Sequence, residues 1–148
     1  MLNALTISFV AILLSGQETD ANFDEMPSQA YAAWNCAFLA GQLGDEHTED
    51  ARELSELGYR LAITFLEAAF EDPESVDTSR MPVVYLLSRH GPSPDFVAGA
   101  WWAHTANNAV DEYSRDDQLN PLPSDTWEMR AESLYREKNC EIILQLMD

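Results

Sequence analysis

Apolar residues return every third or fourth position along most of this chain. Nowhere do they alternate with polar ones over the roughly four to eight residues that a half-buried strand needs. That pattern restricts the fold to the all-α class. It is sharpest between Thr48 and Pro73, where Leu54, Gly58, Leu61, Phe65 and Ala68 form one stripe and Glu53, Glu56, Arg60, Glu67 and Glu71 a solvated opposite face. Thr48 opens this helix, Glu49 and Asp50 stand where the helix dipole favours negative charge, and Pro73 stops it. Before it, Ser28 follows Pro27 as an N-cap, and Tyr31, Trp34 and Phe38 recur at helical spacing up to Gly44. At the far end Asp125 and Glu128 have capping-box spacing, with Trp127, Ala131 and Leu134 on one face. Cys140, Ile143 and Met147 belong to a different stripe, which predicts a break at residues 137–139 and a short final helix. No internal repeat and no dividing linker is visible, so the expectation is a single-domain bundle of about five helices.

The middle of the chain, "VVYLLSRHGPSPDF" from Val83 to Phe96, carries an Arg-His-Gly triplet of the kind that supplies the nucleophile in histidine phosphatases. That chemistry needs a strand before the triplet and a long α/β domain after it, yet only 58 residues follow His90. A local explanation suffices. Pro82 suits the first position of a helix, Val83 to Leu87 is a buried run, and Arg89 and His90 occupy a last turn where the dipole favours cations. Gly91 fits the left-handed position that follows, and Ser93 caps the next helix with Pro94 and Asp95 in its first turn. Along that helix Phe96, Gly99, Ala103, Ala106, Val110 and Tyr113 make a stripe of mostly small residues, expected to face the core and to meet Gly58. Val97, Trp101, His104, Asn108, Asp111 and Arg115 make the other side. A large aromatic beside polar and charged groups has the composition of an interface hot spot, so Trp101, His104, Asn108 and Asp111 are the expected partner-binding residues.

Charge narrows the partners. With 26 acidic and 8 basic residues the net charge is −18, which repels phosphate backbones and argues against direct nucleic-acid binding, while favouring a basic protein. A salt-adapted source is the alternative origin of the acidity. Ala4 to Leu14 is an uncharged run of eleven residues, too short to span a bilayer but of signal-peptide length, and Thr19 and Ala21 are small residues suited to a cleavage site. Residues 1–21 are therefore expected to be a signal peptide and 22–148 an exported helical domain without further membrane contact; a one-pass anchor is the alternative. In an oxidising compartment Cys36 and Cys140 are expected to pair; two buried free thiols are the alternative.

No cofactor or metal is expected. His47, His90 and His104 lie in different segments, and the acid pairs Asp111-Glu112 and Asp116-Asp117 lack the alternating pattern of a calcium loop. Ser93 lies near His90 and Asp95, but no nucleophile elbow surrounds it, and no catalytic residue is assigned.

At "GPSPDFVAGAWWAHTANNAVDEY" and "AESLYREKNC" the chain resembles an uncharacterised family of small exported helical proteins of bacteria and their phages. The similarity rests on a Gly-Pro-Ser-x-Asp-Phe motif, an Ala-rich helix ending in Asp-Glu, and two Asn-Cys pairs, here Asn35-Cys36 and Asn139-Cys140. It departs from that pattern at Ala100 and Trp101, where the family's pattern has Arg and a smaller or different residue. The resemblance implies an exported, disulfide-closed helical domain and brings no activity with it.

The function expected from the sequence is that of an exported acidic binding protein, for instance an inhibitor of a basic cell-envelope enzyme or a superinfection-exclusion factor. The alternative is a small enzyme using Arg89, His90, Asp95 and His104 around the turn between the third and fourth helices. Mass spectrometry of the exported protein should find Asn22 at its N-terminus; a chain that retains Met1 would show that the leader is not removed.

Overall fold

The computed structural model describes residues 23–145. The leader, its cleavage point after Ala21, and Met147 lie outside them. Six α-helices follow in order: α1 Met26–Gln42, α2 Thr48–Glu71, α3 Val83–Leu87, α4 Pro94–Ser114, α5 Trp127–Glu137 and α6 Cys140–Gln145. The described residues contain no β-strand, only an isolated bridge between Arg115 and Pro121 that closes the loop after α4. None of their helices is long and apolar enough to cross a membrane.

The bundle is organised around α1, which packs against α2, α4, α5 and α6. Close approach of neighbours needs small side chains, and Ala30, Ala33, Ala37 and Ala40, spaced along one stripe of α1, are all buried. The two halves of α1 serve two ends of the core. Around Met26, Ala30 and Trp34 gather Phe65 and Leu66 of α2, Tyr85 of α3 and Val97 and Trp101 of α4. Around Cys36, Leu39 and Leu43 gather Leu54, Tyr113, Ala131, Tyr135 and Cys140.

A local capping signal explains the start of α4. Ser93 caps α4, its side chain accepting from the Phe96 N–H at 3.3 Å, with Pro94 in the first turn. The other three long helices are entered differently, through single 3₁₀ turns at Phe23–Glu25, Asp45–His47 and Ser124–Thr126. Ser28 and Asp125 are consequently not caps: Ser28 Oγ instead donates to the Arg80 carbonyl at 2.8 Å. Together with the Arg80–Glu25 ion pair at 2.7 Å, that bond ties the 72–82 loop to the start of α1.

The break expected near residue 138 is present. Asn139 adopts φ of 56°, ending α5 and turning the chain so that Cys140 opens α6. The turn brings Cys140 to Cys36, and the two form a disulfide with Cα atoms 5.5 Å apart across 104 residues of sequence. Closing a loop of about 100 residues stabilises a domain by roughly 4.7 kcal/mol in the chain-entropy model.

Two glycines differ from expectation. Gly58 serves α1 and not α4: a Cβ there would stand 2.5 Å from Cδ1 of Trp34, whose indole lies across α2 and donates to the Ser55 carbonyl at 3.1 Å. Gly91 does not take the left-handed conformation, which among the described glycines belongs to Gly44. It is required instead by close approach, since a Cβ would meet the Phe96 ring at 2.6 Å and Val97 at 2.9 Å.

Gly58→Ala should therefore destabilise the domain by about 1–3 kcal/mol through overpacking, outweighing its helix-propensity gain. Gly99→Ala, with open space where its methyl would stand, should stabilise by up to ~1 kcal/mol. Urea unfolding of both variants tests the pair; equal effects would refute the close approach.

Candidate functional site

Functional groups on this molecule are positioned mainly by α4, and the sequence assigned its two faces in the wrong sense. The buried series is Val97, Trp101, Thr105, Ala109 and Tyr113, at steps of four residues. The small-residue stripe expected in the core is largely outside it: Phe96 and Val110 are exposed, as are Gly99 and Ala103. The packing energy decides the orientation, because an indole removes far more apolar surface from water than a row of alanines can.

Trp101 is thus a core residue, and its assignment to a partner surface is corrected. It is wholly buried, stacked on Tyr85 with ring centroids 4.3 Å apart and planes within 4°. Thr105, the one polar residue in the series, is satisfied there: its hydroxyl donates to the Trp101 carbonyl at 2.9 Å and accepts from the Tyr85 hydroxyl at 2.6 Å. Burial pushes the Tyr85 phenol well above its usual range. The other three expected binding residues divide. His104 is exposed, Asn108 is half-buried with its amide directed to the Tyr31 hydroxyl at 3.4 Å, and Asp111 accepts from Arg115 Nε at 2.6 Å. Arg115 also donates to the Leu119 carbonyl at 3.0 Å, so Asp111 helps to fix the loop after α4.

Besides Phe96, the exposed aromatic of α4 is Trp102, the residue next to Trp101. Its relative exposure is 45%, and its ring packs against Phe38 of α1 with centroids 5.1 Å apart. Beside it runs a groove of about 260 Å³ lined by Trp34, Ser55, Tyr59, Asp95, Gly99 and Trp102. The Tyr59 hydroxyl donates to Asp95 at 2.7 Å. That bond, with the charge of Asp95 and the nearby Glu67, raises the Tyr59 phenol above its usual range. The groove thus combines aromatic faces with a fixed carboxylate. Sequence reasoning missed it because Trp34 and Tyr59 reach it from two other helices.

On the far side of α4 lies a larger pocket of about 470 Å³ between the C-terminal half of α2, the 73–81 loop and the turn after α3. Arg89 and His90 line it. They lie beyond α3, which ends at Leu87, and so are not in its last turn; nor is α3 a buried run, since Val83 and Leu87 are exposed and only Tyr85 is fully enclosed. The four residues of the enzymatic alternative fall in different places. Arg89 and His90 line the pocket, Asp95 lines the groove, and His104 lines neither.

Compared with protein-family models, curated proteins and solved structures, the chain matches none.

Trp101→Ala should lower stability by about 3–5 kcal/mol, as loss of a fully buried aromatic does, measured by thermal or denaturant unfolding. A change below ~1 kcal/mol would place the side chain outside the core.

Proposed function

We propose that the chain is an exported, acidic binding protein that engages a basic protein partner through the groove of Trp102, Tyr59 and Asp95. The observation that carries this reading is Trp102, a large aromatic left 45% exposed beside a carboxylate. Aromatic faces attract cations positioned over them, by about 0.5–1 kcal/mol at exposed sites and about 2 when desolvated. Asp95 adds a charge for a lysine or arginine of the partner to meet, and the net charge of −18 steers such a partner towards the surface. The half-exposed tryptophan is also of the residue type that most often dominates protein interfaces. The disulfide is compatible with an oxidising compartment, which supports export.

The mature chain, used as bait in an envelope extract, should retain a basic protein. Trp102→Ala should weaken that interaction by about 30-fold, the equivalent of about 2 kcal/mol, while leaving the unfolding midpoint close to the parent's. Asp95→Asn should weaken it less, and added salt should slow association. Unchanged affinity in a folded Trp102→Ala variant would overturn the assignment of the groove.

A further inference from the structure

We infer that the larger pocket, on the opposite side of α4 from the Trp102 groove, is a site for a small amphipathic carboxylate, an alkanoate of medium chain length. At about 470 Å³ it falls within the range of small-molecule sites, roughly 300–1,000 Å³. Its walls are mainly apolar, including Phe65, Phe70, Val76, Met81 and Trp101. Its polar groups favour an acceptor. Arg89, which is exposed, can only donate. The Thr78 hydroxyl and the His90 imidazole complete the polar lining.

Charge complementarity argues for an anion in particular. The chain has 26 acidic residues, yet none of those among the described residues lines this pocket. Arg52, Arg80, Arg115, Arg136 and Lys138 each hold a carboxylate within ion-pair distance. Arg60, Arg89 and Arg130 hold none among the described residues, and of these three only Arg89 lines the pocket, its Nε–H directed to His90 Nε2 at 3.4 Å. A guanidinium left without a counter-ion on so acidic a protein, at an apolar cavity, suits a single carboxylate bonded by two parallel N–H groups, with the hydrocarbon tail along Phe65 and Met81. The site is separate from the groove assigned to the protein partner, and the two stand or fall independently.

Calorimetric titration of the full mature chain with octanoate, decanoate and the uncharged decanol provides the test. Decanoate should bind saturably, and affinity should rise about fourfold for each methylene between octanoate and decanoate. Arg89→Gln, a change at an exposed residue, should weaken decanoate at least about tenfold and leave decanol unaffected. Thr78→Trp, which fills the cavity from a loop, should abolish both, whereas Trp102→Ala should alter neither. Absence of saturable decanoate binding overturns the proposal. So does decanoate binding that is matched by decanol and unchanged in Arg89→Gln.

Discussion

The contact between Trp34 and α2 sets the geometry on which the other helices depend. An indole can lie flat across a neighbouring helix only if that helix presents bare backbone, and Gly58 supplies it. The bond from Trp34 Nε1 to the Ser55 carbonyl then satisfies the ring's one polar atom, so the full apolar area of the side chain is buried without an orphaned donor. With α1 held this close to α2, α4, α5 and α6 also pack against it.

From this arrangement comes a division of labour between the two ends of the core. One end is built on aromatic packing, with Tyr85 stacked on Trp101 and Phe65 beside them. The other end carries the disulfide, with Leu39, Leu43 and Leu54 and the rings of Tyr113 and Tyr135 around it. α4 runs through both, and the two concavities of the molecule open on either side of its first half, around Trp102 and around Trp101. The adjacent tryptophans project about 100° apart on a helix. One thereby closes the core and borders the pocket, while the other faces solvent.

How far the sequence discloses this structure depends on contrast between helix faces. α2 was legible because its acids and its large apolar residues occupy separate sides, and both its bounds match the observed Thr48–Glu71. The change of phase before Cys140 was legible for a similar reason, since two stripes cannot continue through one straight helix. α4 was not, because alanine occurs on all its sides and Trp101 and Trp102 offer two equally plausible inner faces. Thr105 deepened the ambiguity: a hydroxyl in the middle of the true inner face reads as polar until Tyr85, twenty residues away, is seen to bond it. The groove was illegible in principle, since Trp34, Tyr59, Asp95 and Trp102 meet only after three helices pack.

The Cys36–Cys140 bond also governs how the molecule would bear tension along its chain. A pull applied outside the cysteines passes through the sulfur bridge and bypasses the 104-residue interval between them. At about 3.3–3.6 Å per extended residue, roughly 350 Å of contour length is withheld from stretching. While the bond is closed only the flanking segments lengthen. Reduction would turn the same chain from a short tether into a long, extensible one.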